Sequence, residues 1–572
     1  MCSGKVIFGL ISVACAKQSP PQFVVSKGTI NEIFMQEGNF HWWHRAVIYQ
    51  VYPRSFQDSN GDGIGDLIGI VQRLDYLQML GIEAIWLSPI FPSPMADFGY
   101  DVADYVAIHP IFGTMEDFDH LLQQAHQRDI KILLDLVPNH SSSEHPWFRE
   151  SRSSRDSAKR NWYIWKDADE DGSAPNNWLS VFGGSAWEWD EATSQYYYHG
   201  FLKEQPDLNW RNEELVEAML GVMRFWLDKG VDGFRIDVLW HIFKSESFAD
   251  NPPNPGFAPH MPGYDSLLTV NSTDQPEVQD IVKRMRNLTD AYNDRVLIGE
   301  IYLPYEKLMT YYGRNNDGIH LPFNFTLMGI NWDAQTIASS ILAYEQALPP
   351  NAWPNWVLSN HDRPRIATRI GEGQARVAAM LLLTLRGTPT LYYGDEIGMK
   401  DVHIPFDEQQ DPQGLNMPEL NISRDPARTP MQWDSTAQAG FTRGKPWLRI
   451  ADNFPDHNVE KQEEELNSNL SLYKKLIRLR QTSPTLLYGA YKQVYIDQQL
   501  LVYTRELTGH DGFIVVLNLS HEPASFAVPF GYSGKVILSS TGKTYDWKDG
   551  LLKLPADEGL VIHTSTHLRD LL

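Results

Sequence analysis

An α/β chain built on a (β/α)8 barrel (TIM barrel), with a subdomain inserted after the third strand and a C-terminal antiparallel β-sandwich, is the fold class this sequence predicts. Three observations predict it. From about residue 46 to 400, short apolar runs alternate with amphipathic stretches of helical period. A long segment rich in Trp, Ser, Asp and Gly interrupts that alternation after the third run. Past about residue 485 the pattern changes to short strands of alternating polarity.

The first run, "AVIYQVYP", is followed by "GIVQRLDYLQMLG", where Ile70, Leu74, Leu77 and Leu80 recur at helical spacing. "IEAIWLSP", the helical "MEDFDHLLQQAHQRD" and "IKILLDLVPNH" come next, then "VDGFRIDV", "RVLIGEIY", "LPFNFTL", "NWVLSNHD" and "GTPTLYYGDE". "ELVEAMLGVMRFWLDKG" and "GQARVAAMLLLTLRG" read as helices between them. Strands alternating with helices imply a parallel sheet, and a count of eight candidates implies closure. A doubly wound sheet is the alternative, but no Gly-rich phosphate turn follows the first strand. The interruption over 141–209 is too long for bare loop and reads as an inserted subdomain. "KQVYIDQQLLVYTREL", "GFIVVLNLS", "ASFAVPF" and "GKVILSS" read as sandwich strands. The expected division is an extension or signal segment over 1–37, barrel over 38–140 and 210–484, subdomain over 141–209 and sandwich over 485–572.

Composition narrows the function. A formal charge of −23 argues against a nucleic-acid partner, whose phosphates are met mainly by Lys and Arg. Both cysteines, Cys2 and Cys15, stand at the extreme N-terminus, so disulfides, thiolate catalysis and cysteine metal sites are excluded for the folded body. No apolar run reaches the roughly 18 residues of a membrane span. "KVIFGLISVACAKQ" has two readings: a short secretory signal with an A-x-A site, or an extended start ahead of Met35. A cytoplasmic location is expected, and a secreted or periplasmic one if residues 1–16 are a signal. The expected state is a monomer or small homo-oligomer.

In such a barrel, catalytic groups sit at the C-terminal ends of the strands. That place is occupied by Asp135 and His140, Arg235 and Asp237, Glu300, and His361 with Asp362. One such Asp is commonly a helix cap. Several carboxylates converging on one mouth raise each other's pKa and destabilise the fold, which points to use. Paired carboxylates suit glycoside hydrolysis, where one attacks the anomeric carbon and the other protonates the leaving oxygen.

"DLVPNH", "GFRIDV", "IGE" and "SNHD", in that order, with "QPDLN" at 205–209, resemble the signature segments of the α-amylase family of retaining α-glycosidases (glycoside hydrolase family 13). The resemblance spans roughly residues 40 to 572. It implies Asp237 as nucleophile, Glu300 as acid/base and Asp362 as the group that holds sugar hydroxyls and favours the distorted ring. It implies that Arg235 orients Asp237 and that His140 and His361 bind hydroxyls of the first sugar. "DFGYD" resembles the segment that closes that subsite, hence Asp97 and Tyr100. "SRDPARTPMQW" resembles the maltase-type loop, whose Arg428 would reach the same sugar.

"DSNGDGIGD" places oxygen donors at calcium-loop spacing without the closing Glu of an EF-hand. The exo-acting branch of the family carries a similar loop. The expectation is therefore one structural Ca2+ or Mg2+ held by Asp58, Asn60, Asp62 and Asp66 with the Ile64 carbonyl, and no organic cofactor. The expected substrates are small α-glucosides such as maltose, short malto-oligosaccharides and sucrose, cut from the non-reducing end. Val238, beside the nucleophile, accompanies α-1,6 cleavage in some relatives, so oligo-1,6-glucosidase and transglycosylation stay open. A non-catalytic transporter-type subunit is a remote alternative, disfavoured because all three carboxylates are present.

Overall fold

The computed structural model describes residues 40–528, 534–545 and 550–565; the expected extension over 1–37, with the signal reading, lies outside the described residues. Eight parallel strands form the central sheet: β1 (Ile48–Val51), β2 (Ala84–Leu87), β3 (Lys131–Leu136), β7 (Gly233–Ile236), β8 (Val296–Gly299), β9 (Leu321–Pro322), β10 (Asn355–Val357) and β11 (Thr388–Tyr392). Their hydrogen-bonded order is β10-β11-β1-β2-β3-β7-β8-β9, which puts the sequential strands β9 and β10 at the two ends of a barrel-like sheet. All eight runs expected as strands are found in it.

Burial on both faces explains why these strands read as nearly continuous apolar runs. Ile48, Ala84, Trp86 and Leu133 pack inside the sheet, together with Val296, Ile298, Leu321, Phe323 and Val357. Their neighbours Tyr49, Val51, Ile85, Leu87, Ile132 and Leu134 pack outward against the helices. The two-residue period of a strand makes this division.

The helices follow their sequence patterns, with local breaks. "GIVQRLDYLQMLG" forms two short helices, Leu67–Gln72 and Leu74–Leu80, because Arg73 leaves helical geometry; Gly81 closes the second in the left-handed region. Ile70, Leu74, Leu77 and Leu80 are all buried, so the periodicity held even where the helix divided. Asn212 caps Glu213–Lys229 by accepting from the Leu215 N–H, and Gly230 ends that helix with φ 102°.

Between β3 and β7 lie a short helix, Pro146–Arg152, and a three-stranded antiparallel sheet of β4 (Trp165–Lys166), β5 (Trp187–Asp190) and β6 (Gln195–Tyr198). It has its own small core of Ile164, Trp178, Ala186, Trp187 and Tyr198. The segment returns to the barrel through Asp207, which is buried, bridges His140 and accepts from Asn139 Nδ2 and Lys244 Nζ.

The C-terminal strands are β12 (Ala490–Ile496), β13 (Leu500–Glu506), β14 (Gly512–Asn518), β15 (Ala524–Ala527), β16 (Lys535–Ser539), β17 (Leu551–Leu554) and β18 (Gly559–Thr564). They form a five-stranded sheet, β12-β13-β14-β18-β16, and a separate β15-β17 pair, all antiparallel. Leu500, Val502, Ile514 and Val516 join Phe526, Leu552 and Leu554 in the core of this unit. The alternate residues Leu501, Tyr503, Val515 and Leu517 belong to the large core shared with the barrel helices. Both faces of the central strands are thus committed to packing, in keeping with core strands and not with a free sugar-binding face.

Candidate active site

The parallel register places the charged side chains. Asp135 on β3 is opposite Arg235 on β7, so the two extend into the barrel mouth from adjacent strands. Asp237 follows β7 two residues after Arg235 and shares its face, while Glu300 follows β8, whose Gly299 pairs with Ile236. The Arg235 guanidinium is fully buried among three carboxylates. Its Nη1 lies 2.8 Å from Asp135 Oδ1 and 2.7 Å from Asp237 Oδ1, and its Nη2 lies 2.6 Å from Glu300 Oε2. Glu300 Oε2 also accepts the Val238 N–H at 3.0 Å.

One cation among three buried carboxylates leaves the cluster short of positive charge. Burial, then the charges of Glu300 and Asp135, push the Asp237 carboxyl well above the usual range against the pull of Arg235. Burial likewise raises Asp135 to about 6 despite Arg235. Asp237 and Glu300 are bound to the two terminal nitrogens of the same guanidinium, so their carboxyls lie side by side.

The opposite wall has the reverse balance. Asp362 Oδ1 is 3.2 Å from Arg424 Nη1 and 3.1 Å from Arg428 Nη2. Burial favours the neutral acid, but the surrounding His361, Arg424, Arg428 and Arg235 outweigh it and hold Asp362 below the usual carboxylate range. Arg424 Nη2 reaches Asp97 Oδ1 at 2.7 Å and Asp411 Oδ1 at 2.6 Å, tying the loop after β2 to the loop after β11. Burial nevertheless lifts Asp97 to about 6. Arg428 donates through Nε to the His361 carbonyl at 2.8 Å.

The aromatic and imidazole groups complete the wall. Tyr100 hydroxyl donates to Asp135 Oδ2 at 3.0 Å and is 2.7 Å from His361 Nε2; Trp86 Nε1 donates to the same Asp135 oxygen at 3.0 Å. His361 Nδ1 is 2.8 Å from Gln50 Nε2. His140 contacts Gln205 Nε2 at 3.1 Å, and Gln205 also donates to Asp97 Oδ2 at 3.2 Å. Burial lowers His140 to about 4 and His361 to about 3, so both are neutral imidazoles near neutral pH.

The structure therefore brings together Asp97, Tyr100, His140, Arg235, Asp237, Glu300, His361, Asp362 and Arg428 around one mouth. Sequence reasoning missed Arg424, which sits four residues before Arg428 in the same segment. It also passed over Gln205, the first residue of "QPDLN", and gave Asp135 no role. Asp411 carried no local signal, because its partner Arg424 is brought to it only by the fold of the loop.

The acidic loop after β1 is closed by hydrogen bonds to its own side-chain oxygens. Asp58 Oδ1 accepts the N–H groups of Asn60 (2.9 Å) and Gly61 (2.7 Å), and its Oδ2 accepts from Gly63 N–H (2.8 Å) and the Thr442 hydroxyl. Asn60 Oδ1 takes the Asp62 N–H and Asp62 Oδ1 takes that of Ile64, both at 2.8 Å. Asp66 accepts from Ser59 and caps Leu67–Gln72 through the Gly69 N–H. Among the described residues no group of three or more His, Cys, Asp or Glu is gathered to hold a metal. The turn is held by backbone donors of its own and by Thr442, with Asp58, Asn60, Asp62, Ile64 and Asp66 together on it. Gly63 has φ 93° and lies so close to the Lys445 carbonyl that a Cβ would stand 1.9 Å from it, which locks this loop against residues 442–447.

Comparison with known proteins agrees with this geometry. The sequence pattern of the alpha amylase catalytic domain matches residues 50–489. A salivary alpha-glucosidase of Anopheles gambiae is 41% identical over 565 residues, covering 93% of this chain and 95% of that protein. An oligo-1,6-glucosidase of Halalkalibacterium halodurans is 40% identical, covering 87% and 93%. Among solved structures, the alpha-glucosyl transfer enzyme XgtA superposes with a TM-score of 0.88 at 39% identity, over 92% of this chain and 100% of that one. On its barrel, its clustered carboxylates and these matches, the chain belongs to the α-amylase family and is a glycoside hydrolase.

Proposed function

We propose that the protein is an exo-acting retaining α-glucosidase that releases glucose from the non-reducing end of small α-glucosides by double displacement. The observation that carries this reading is the shared guanidinium of Arg235, which holds Asp237 and Glu300 side by side at the mouth of the barrel. Two carboxyls held by one guanidinium fit the roughly 5–5.5 Å spacing of a retaining pair better than the about 6.5–9.5 Å that an inverting enzyme needs for its water. Asp237 attacks the anomeric carbon while Glu300 gives its proton to the leaving oxygen. Glu300 then deprotonates the water that hydrolyses the glycosyl ester. Asp362, kept ionised between Arg424 and Arg428, accepts hydroxyl donors of the distorted sugar. The Asp97–Arg424 ion pair ties two loops beside that subsite, which supports a closed pocket for one terminal glucose over an open cleft.

A second reading, oligo-1,6-glucosidase, rests on Val238. This residue is buried beside the nucleophile with φ 33° and gives its N–H to Glu300. A β-branched residue in the left-handed region is strained and is kept only where its surroundings over-determine it. Transglycosylation shares the same glycosyl ester and differs only in the acceptor. For the acidic loop, the spacing of its donors supports one structural Ca2+ or Mg2+. Asn60 and Asp62 are its exposed members; of the oxygens, Asn60 Oδ1 and Asp62 Oδ1 each take one backbone N–H.

Four outcomes are expected. NMR of the first product sugar shows α-glucose before mutarotation; initial β-glucose rules out double displacement. Asp237→Asn abolishes turnover on every substrate, whereas Glu300→Gln lowers it about 10²–10⁴-fold on maltose and much less on glucosides with a good leaving group; equal losses on both substrates would undo the role assignment. Maltose is cleaved faster than isomaltose, and Val238→Thr raises that ratio within the roughly ten- to two-hundredfold range of a methyl-scale pocket change; wild-type preference for isomaltose makes the second reading the right one. Chelator lowers the calorimetric unfolding midpoint and added Ca2+ restores it, because an ion bound only to the folded state stabilises by mass action; an unchanged midpoint removes the ion from the proposal.

A further inference from the structure

His361 stands between two acceptor-bearing neighbours, and the state of its ring depends on a residue one shell further from the pocket. Gln50 is fully buried on β1, and its Nε2 lies 2.8 Å from His361 Nδ1 and 3.1 Å from Ser88 Oγ. On the other side of the ring, His361 Nε2 is 2.7 Å from the Tyr100 hydroxyl and 3.5 Å from Asp362 Oδ2.

The geometry points to Gln50 as a positioning residue that sets His361 in the Nε2–H tautomer, so that the imidazole donates to the Tyr100 hydroxyl in the wall of the substrate pocket. The direction of every bond in the chain follows from Asp135. As a carboxylate it can only accept, and Tyr100 gives it its single hydroxyl proton at 3.0 Å. Tyr100 must therefore accept from His361, which places the imidazole proton on Nε2. Nδ1 is left as a lone pair, and it needs a donor. The Gln50 amide supplies one; turned over, it would set its oxygen against that lone pair. Ser88 Oγ, 3.1 Å from the same amide nitrogen, accepts a second N–H and holds this orientation.

The tautomer matters because the Tyr100 hydroxyl carries one proton. With Nε2–H donating to it, that proton goes to Asp135 and every bond in the chain is matched. A bare Nε2 would compete with Asp135 for the Tyr100 proton and set a lone pair 3.5 Å from Asp362 Oδ2. Asp362, Arg428, Arg235 and Arg424 all act on the ring electrostatically, Tyr100 and Tyr52 lie beside it, and burial lowers its pKa to about 3, so the ring has one proton to place near neutral pH. This inference rests on the reading that His361 meets the sugar.

Neutron diffraction of the deuterium-exchanged wild-type enzyme without substrate tests it directly. The expected map shows the deuteron on His361 Nε2 and the Gln50 amide deuterons facing Nδ1; a deuteron on Nδ1 overturns the proposal. Because that measurement needs no turnover, it is separable from the glucosidase reading, which fails instead on absence of maltose hydrolysis. Kinetics add a second test in variants whose circular dichroism matches the wild type. Gln50→Met should lower kcat/KM at least tenfold with the acid limb of the pH profile unmoved. Gln50→Glu places a carboxylate on Nδ1, favours the imidazolium and should move that limb upward by a unit or more. A wild-type pH profile in folded Gln50→Glu overturns the proposal as well.

Discussion

A single buried guanidinium organises this molecule. Arg235 lies on a central strand with no solvent exposure, and three carboxylates from three different strand ends close on it. An arrangement of this kind is costly to desolvate, and removing one partner of a buried charge cluster costs about 3–5 kcal/mol. The barrel tolerates it because the register of β3, β7 and β8 delivers all four side chains to one place and the planar fork serves several acceptors at once. The same shortage of positive charge that burdens the fold pushes the buried Asp237 and Asp135 carboxyls up.

The two walls of the mouth are opposites in charge. On the Arg235 side, one cation faces three carboxylates and the Asp237 carboxyl is pushed up. On the other side, Asp362 touches two guanidiniums and is pushed down. Opposite balances of charge thus push two carboxyls of one mouth in opposite directions. Arg424 also joins Asp97 to Asp411, so the charge that keeps Asp362 ionised also connects the loops around the pocket.

Backbone strain also occurs at this place. Val238 has φ 33°, Phe98 φ 47° and Met95 φ 65°, conformations that side-chain-bearing residues avoid. Each is over-determined by its surroundings. Val238 is pinned by its N–H bond to Glu300. The segment carrying Asp97 and Tyr100 is gathered by buried Asp101, which accepts from Ser93 Oγ and from the N–H groups of Ala96 and Asp97. Strain near the chemistry is thus maintained by hydrogen bonds whose partners are themselves buried.

The sequence by itself determined the eight strands, the order of the signature segments and the residues at the strand ends. Those signals are local: a strand buried on both faces reads as an apolar run, and a polar residue at its C-terminal end needs no knowledge of its neighbours. It could also name Arg428 and Asp97, because each lies within a short recognisable segment. The tertiary structure alone decided that Asp135 belongs to the Arg235 cluster, since that depends on register. It alone placed Arg424 and Asp411 together and set Gln205 against His140 and Gln50 behind His361. It also showed the acidic loop satisfying its carboxylates with its own N–H groups and with Thr442, which spacing along the chain could not reveal. The physical reason is the same in each case. A hydrogen bond or ion pair closed only by the fold, whether across 13 positions as in Asp411–Arg424 or 311 as in Gln50–His361, leaves no periodic trace in either segment.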